Sequence, residues 1–454
     1  MRDSTDPTDA LAACAFLPTA GDDLPDLAGL PRDVMPWSFD EDHSGCSDGS
    51  VTASLGRTSE QGSWHFPEKP VIFLSDPHAD ADGFLRSLVA AGAIRREAEA
   101  PRRFTLTPFG AAAQIVVGGD CLEKGPSNLD MLDALKALID TGADVQLLAG
   151  NHDLRFLVGL LSLDHGLCGR DAEASALTEH LFIRLGRKAM PLLVEVYDRY
   201  VAPNGIPDDV PEEAAAKALL YPADNWAERF DRAAKPYMKG KARAREISRA
   251  EKKRRTFAEA ADEAGLTMRM MLAAARACRA LFLPGGEMAW FYDRMQAVTR
   301  MGSILFVHAG LDDAACRMLA LDGPDAVNAA FKEEARRDPF VFYFGVLVNM
   351  MRTKYRPSDR TLTEAGVEDL WGAGIKMIVQ GHVNNHRGQR LLAKSGMLHL
   401  EGDVSLDSAT RKLEGLKGHG VGATLIYPSG DVLGLCSDYP TIKHFNPARY
   451  EGRA

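Results

Sequence analysis

The chain has 454 residues, 46% hydrophobic and 26% charged, which is the composition of a soluble globular protein with room for one large domain carrying insertions or for two domains. No apolar run approaches the roughly 20 residues needed to span a bilayer, and the N-terminus lacks the basic start and apolar stretch of a secretory signal, so a cytoplasmic protein with no membrane partner is expected. The net charge of −10 resides almost wholly in residues 1–65, where twelve Asp or Glu face three Arg; the remainder is nearly balanced, and its charge argues for no particular partner.

Residues 1–65 are rich in Asp, Ser, Gly, Thr and Pro and lack sustained periodicity, so they are read as a mostly disordered acidic extension. Within it, Leu30 to Phe39 is a segment able to dock on the folded body, the alternative being an unattached tail. From residue 66 onward a single domain is expected. The apolar run Val71–Leu74 is a predicted buried strand ending in Ser75-Asp76-Pro77-His78, followed by a helix from Asp82. A short strand near Phe104 precedes the run from Gln114, which ends in Gly118-Gly119-Asp120. A helix over Asn128 to Ile139 has Ser127 or Asn128 as its N-cap and Gly142 just past its end. Strand 144–148 then leads into Gly150-Asn151-His152-Asp153 and completes a βαβαβ unit.

Residues from about 155 to 300 change to Ala, Leu, Arg and Glu with helical periodicity, which predicts a helical insertion acting as a cap. Within it, Lys235 to Arg255 holds ten Lys or Arg against two acids. Such a run is either a solvated helix face or, more sharply, a surface for an acidic partner or for the chain's own acidic tail. Strands return at Ser303–Val307, ending in His308-Ala309-Gly310, and at Ile375–Val379, ending in Gln380-Gly381-His382. Closing strands are expected near 397, 423 and 432. The seven cysteines show no C-x-x-C spacing and are expected to be free thiols.

Five apolar strands thus end in Asp, His or Asn, four of them beside glycine, and α/β sheets place their chemistry at such C-terminal strand ends. Hard divalent cations take carboxylate oxygens and neutral imidazoles, and a two-metal site needs one ligand shared by both ions. The candidate ligands are Asp76, His78, Asp120, Asn151, His308 and His382, with Asp120 as the shared carboxylate. Singly each has a bland explanation; their repetition after successive strands favours a metal centre.

At SDPHA, GDCLEKG, GNHD, HAG and QGH the chain resembles the calcineurin-like metallophosphoesterase superfamily, most closely its phosphoprotein-phosphatase-type branch, which includes bacterial Shewanella-like phosphatases. The resemblance covers roughly residues 69–154 and 300–440 and implies an α/β fold, the four-layer αββα sandwich. It further implies Asp76, His78 and Asp120 on one metal, Asp120, Asn151, His308 and His382 on the other, and a metal-bridging hydroxide that attacks phosphorus. The two divalent ions would be Mn, Fe or Zn, with Mn suited to assays. His152 would protonate the leaving group, with Glu123 taking the place of the family's orienting Asp and Lys124 that of a phosphate-binding Arg. Arg352 or Arg356, in MRTKYRP, would supply a further phosphate-binding cation. Gly381-His382-Val383-Asn384 departs from the G-H-x-H of diesterases, with His386 two places too far along, which favours the phosphatase branch. The expected activity is therefore phosphomonoester hydrolysis, first on a phosphorylated serine or threonine side chain of a protein and second on a small phosphoester. Hydrolysis of a dinucleoside polyphosphate is a rival within the enzyme class, and a catalytically silent phosphate-binding module is a rival outside it. No nucleic-acid partner is expected.

Overall fold

The computed structural model describes residues 29–39, 49–97, 100–163, 175–356 and 359–450. Fifteen strands run in chain order: β1 Val34–Pro36, β2 Val71–Leu74, β3 Ile94–Glu97, β4 Ala100–Leu106, β5 Gln114–Val117, β6 Asp144–Leu148, β7 Met295–Gln296, β8 Val298–Met301, β9 Ile304–Val307, β10 Met377–Gln380, β11 Arg390–Lys394, β12 Met397–Glu401, β13 Gly422–Ile426, β14 Val432–Cys436 and β15 Ile442–Phe445. They form an eight-stranded sheet ordered β1-β15-β14-β13-β2-β5-β6-β7, a five-stranded sheet ordered β11-β12-β10-β9-β8, and the separate hairpin β3-β4. In the larger sheet β2, β5 and β6 are parallel neighbours, as a βαβαβ unit requires. In the smaller, β9, β10 and β12 are parallel.

The period-2 alternation of a strand explains how the sheets stack. Val71 and Phe73 of β2 point into a core shared with Ile304 and Phe306 of β9, Val379 of β10 and Leu398 of β12. Phe73 and Phe306 meet with ring centroids 5.9 Å apart. The intervening residues Ile72 and Leu74 face outward and join a core with Phe84 and Leu88 of helix Ala81–Ala90 and Leu132 and Leu135 of helix Asn128–Asp140. On the far side, Leu305 and Ile378 do the same with Ala315 and Leu319 of helix Asp313–Arg337 and Val367 and Leu370 of helix Glu364–Gly372. The architecture is helix, sheet, sheet, helix. Both sheets are covered on both faces, which is why their strands read as short continuous apolar runs.

Part of the expected disordered extension is folded. β1 lies parallel to β15, adding an edge strand, and the Trp37 ring meets Phe445 edge-on at 5.4 Å. Helix Val51–Glu60, capped by Ser50, buries Val51 and Leu55 against the inter-sheet core. Only these two large apolar residues sit on its inner face, too few to stand out within a polar stretch, and tertiary burial makes the helix. Residues 1–28 and 40–48 lie outside the described residues.

Between Asn151 and Arg294 the described residues are mainly helical, including Asn151–Leu161, Met190–Val196, Trp226–Ala233, Gly240–Glu263 and Met268–Phe282. One side chain ties this region to the sheet loops. The Glu195 carboxylate accepts hydrogen bonds from the Asn128 and Leu129 backbone N–H groups, the Asn128 amide and the Ser127 hydroxyl, at 2.9–3.1 Å. An anion there satisfies the unpaired amides of a helix N-terminus, and it fixes the helical region beside the loop that holds Glu123.

Candidate metal centre

The loops after β2, β5, β6, β9 and β10 converge at one edge of the stacked sheets. Backbone bonds tie neighbouring loops together: the Asp76 N–H donates to the Gly119 carbonyl (3.1 Å), His78 to Asp120 (2.9 Å), Ala79 to Cys121 (2.8 Å) and Gly381 to His308 (2.9 Å). Asp76, His78, Ala79, Asp120, Glu123, Lys124 and His382 all have φ between 43° and 73°. Left-handed backbone costs a non-glycine residue on the order of 1 kcal/mol or more, so its concentration here marks conformations imposed by the surroundings. Two glycines permit the close approach. A Cβ at Gly150 would lie 2.0 Å from the Asp120 nitrogen, and one at Gly381 would lie 1.7 Å from the Ser75 hydroxyl.

Ligand atoms of His78, Asp120 and His152 lie within 4.8 Å of one another, as do those of Asp120, His308 and His382. Asp120 belongs to both groups. Its Oδ2 is 3.9 Å from His78 Nε2, 3.8 Å from His152 Nε2 and 3.5 Å from His308 Nε2. Its Oδ1 accepts the His152 backbone N–H at 2.7 Å. Asp76 Oδ1 stands 3.6 Å from His78 Nε2, while Oδ2 accepts from the Ser75 hydroxyl (2.5 Å) and the His382 N–H (2.8 Å).

The imidazoles are oriented for ligation. His308 Nδ1 lies 2.7 Å from the Gly118 carbonyl, which can only accept, so that nitrogen carries a proton and Nε2 is the atom left to face a metal. His78 Nδ1 faces the Leu122 carbonyl at 3.4 Å. Buried Nε2 atoms of His308 and His382 and buried Oδ1 of Asn151 have no hydrogen-bond partner. Three orphaned acceptors at one sheet edge, beside two carboxylates, fit a divalent cation centre, because unpaired buried polar atoms are otherwise costly. One contact must open for full ligation: the Lys124 ammonium donates to His78 Nε2 at 2.5 Å, and His78 can bind a metal only when Lys124 swings away.

The electrostatics follow from burial and neighbours. Burial, with Lys124 and His152 adding to it, drives His78 well below its usual value and keeps it neutral, the form a ligand needs. His382 is likewise depressed by burial and by His308. For His308 burial works the same way, yet Asp120 and Asp76 outweigh it and raise this imidazole to about 10. Burial opposes the Asp120 carboxylate, but His308 and His152 hold it well below the ordinary carboxylate range. Two acids that hold a cationic imidazole between them will also draw a metal ion, which displaces that proton.

Beside this cluster, His152 Nδ1 donates to Glu123 Oε2 at 2.6 Å, leaving Nε2 turned toward Asp120. Glu123 makes the contact from a left-handed backbone, φ 69°, its N–H held by the Asn128 side chain at 2.8 Å. Burial opposes the Glu123 charge, but Arg155 and His152 lower its pKa and keep it ionised.

Sequence alone did not single out Arg155, Asp153 or Lys354. The Arg155 guanidinium donates to Glu123 Oε2 from one turn along the same helix as His152. Asp153 accepts the N–H groups of Asp120 (2.8 Å), Gly150 (3.2 Å) and Leu122 (3.1 Å), and so holds the Asp120 loop. The i, i+2 and i, i+3 spacings from Asn151 and His152 were the available signals. In MRTKYRP it is Lys354 that touches the centre, donating to the His382 carbonyl at 3.2 Å. Arg352 stacks on Tyr343 at 5.3 Å, and Arg356 is exposed, its N–H bonded to Asp359. His386 is turned away toward Glu414, 3.0 Å distant, with half its side chain exposed.

An Asn at position 153 offers one acceptor oxygen where three backbone donors converge, and its amide would face N–H groups. Asp153→Asn is expected to lower stability by about 2 kcal/mol, measured by denaturant unfolding, and to reduce bound metal; an unchanged midpoint would remove Asp153 as the support of this loop.

Fold and site together define a chain whose clustered loops present a hard-cation ligand set at the edge of a double sheet. No family model matches the chain, and no curated protein matches it. Among solved structures it is similar to a cold-active protein tyrosine phosphatase, at 15% identity over 84% of this chain and 80% of that one, with a TM-score of 0.43. The protein tyrosine phosphatase of a psychrophilic Shewanella species follows at 16% identity, 83% and 80% coverage and 0.40. A protein serine/threonine phosphatase from Saccharomyces cerevisiae matches at 11% identity, 87% and 89% coverage and 0.38. A metallophosphoesterase from Sphaerobacter thermophilus matches at 10%, 83% and 88%, with a TM-score of 0.28. At such low scores these likenesses carry no weight for the chemistry, which rests on the site's own geometry. Among the described residues no helix is long and apolar enough to cross a membrane.

Proposed function

We propose that this chain is a metallophosphoesterase of the calcineurin-like type, hydrolysing phosphomonoesters at a dinuclear centre, with a phosphorylated serine or threonine side chain of a protein as the substrate. The observation that carries it is the convergence of His308 Nε2 and His382 Nε2, both without a hydrogen-bond partner, on Asp120, with Asn151 Oδ1, also buried and unpartnered, at the end of the neighbouring strand. Asp76, His78 and Asp120 would hold one ion, and Asp120, Asn151, His308 and His382 the other. Bound there, two divalent ions supply water of near-neutral pKa and Lewis-acid polarisation of phosphoryl oxygens. Manganese suits this mixed oxygen and nitrogen set and is the ion to assay first.

The chain's own residues supply the rest. His152, protonated at Nδ1 by its bond to Glu123, directs Nε2 at the site and delivers a proton to the departing alkoxide. Glu123, held ionised by Arg155, fixes the ring and stabilises its cationic form. Lys124, once off His78, and Lys354 are the cations nearest the centre for a phosphoryl dianion. Burial of Asp76, Asp120 and His308 excludes bulk water and strengthens each of these interactions.

With His386 committed to Glu414, one metal position lacks the second histidine of a diesterase and leaves room for the extra charged oxygen of a monoester. p-Nitrophenyl phosphate is expected to be cleaved at least tenfold faster in kcat/KM than its bis-aryl diester, about 1.4 kcal/mol in barrier, and His386→Ala should leave that ratio as it is. A diester preference lost in the alanine variant would assign the site to diester chemistry instead.

A further inference from the structure

The helical region packs on the helix that carries His152 and Arg155, where a Cβ at Gly159 would come 2.9 Å from the Leu185 side chain, and it brings beside that helix two cations that the hydrolysis of a single phosphate does not use. Lys188 lies on the segment Ile183–Ala189, and Lys253 on the long helix Gly240–Glu263, within the basic run that stands out in the sequence. The two elements pack together at Gly186. That residue has φ 62°, and a Cβ there would come 2.4 Å from the Lys253 ammonium, so this glycine seats the lysine. Among the described residues neither ammonium has a carboxylate within ion-pair distance, whereas neighbouring basic side chains are matched: Arg184 bonds Glu246, Arg243 bonds Asp231 and Arg254 bonds Asp224.

Both lysines sit within electrostatic reach of Glu123 and Arg155, and Lys188 also of Asp120 and Lys124. Partial burial lowers both pKa values, with repulsion from Arg155 acting on each and from Lys188 on Lys253. Around Glu123 there are thus four cations, Lys124, Arg155, Lys188 and Lys253, against one carboxylate that Arg155 already neutralises. Lys124 stands at the metal ligands and goes with the reacting phosphoryl group. Lys188 and Lys253 remain, without a carboxylate in ion-pair distance among the described residues and mutually repelling, near Glu123. Two uncompensated ammonium groups match a dianion, and a carboxylate would neutralise only one of them.

We propose that Lys188 and Lys253 form a subsite for a second phosphoryl group carried by the same substrate as the one hydrolysed. This deepens the phosphoesterase reading and rests on it. The second group comes from a neighbouring phosphorylated residue of a peptide or from a phosphoanhydride, and the test separates these sources.

The experiment compares kcat/KM for a peptide phosphorylated on two adjacent residues with that for its singly phosphorylated form, and for adenosine 5′-diphosphate with the monophosphate. Calorimetric binding of the same four ligands gives an independent reading. In wild type one pair is expected to differ by at least tenfold in favour of the member with two phosphoryl groups, and that pair names the source. Lys188→Ala and Lys253→Ala should each bring the ratio toward one, and Lys253→Arg should retain it. A wild-type ratio near one in both pairs, or ratios unaltered in both alanine variants with melting temperatures unchanged, would overturn the subsite. Absence of p-nitrophenyl phosphate turnover with added metal would instead strike the phosphoesterase reading, and the binding ratios would still decide the subsite.

Discussion

Asp120→Asn is expected to abolish binding of both metal ions and to reduce phosphomonoester hydrolysis by at least roughly a thousandfold, about 4 kcal/mol of barrier. The magnitude follows from position. Asp120 Oδ2 faces His78, His152 and His308 at 3.5–3.9 Å, so one neutralised oxygen weakens both halves of the ligand set. Replacing Oδ2 by an amide also places N–H groups against imidazole nitrogens that must present lone pairs to a metal. Asp76→Asn should be milder, because Oδ2 of that residue is engaged by Ser75 and His382 and only Oδ1 faces His78. Metal content after desalting is the measurement. Two ions retained in the Asp120 variant would remove the basis of the dinuclear assignment, since the other ligands do not form a shared set without it.

His152→Ala is expected to lower kcat by roughly a hundredfold on an alkyl phosphate and by less than about tenfold on p-nitrophenyl phosphate. A nitrophenolate leaves without a proton, whereas an alkoxide needs one in the transition state, so only the second substrate depends on the group delivering it. The difference separates two roles the geometry allows. His152 Nε2 lies within the same ligand cluster as His78 and Asp120, and if it served as a metal ligand both substrates would suffer alike. Glu123→Gln, which keeps the shape but removes the charge that Arg155 and His152 share, should reproduce a smaller part of the alkyl-specific loss. Equal losses on both substrates in His152→Ala would reassign the residue from proton delivery to metal binding.

Several features were legible before any coordinates. Val71–Leu74, Gln114–Val117 and Asp144–Leu148 are short runs rich in apolar residues, and each is a largely buried strand leading into a loop of the site. The Ser127 cap and the helix after it were marked by local chemistry alone. Leu30–Phe39 docks as its apolar residues allowed, through β1 and Trp37, whereas helix Val51–Glu60 was hidden because its few apolar residues gain meaning only against the inter-sheet core. β12 and β13 both read as closing strands, yet they belong to different sheets, a pairing that hydrophobic pattern does not encode.

The chain by itself determined which chemistry was available: five strand ends carrying Asp, His and Asn, four of them beside glycine, which is a local property of residue type and periodicity. The tertiary structure decided which groups meet. It turned Lys354 rather than Arg356 toward His382, sent His386 to Glu414, clamped Glu123 with Arg155 and seated Lys253 against Gly186. The reason is physical. Strand and cap propensities act over a few residues, whereas the position of a long charged side chain is set by which helix packs against which loop, and that depends on burial summed over the whole core.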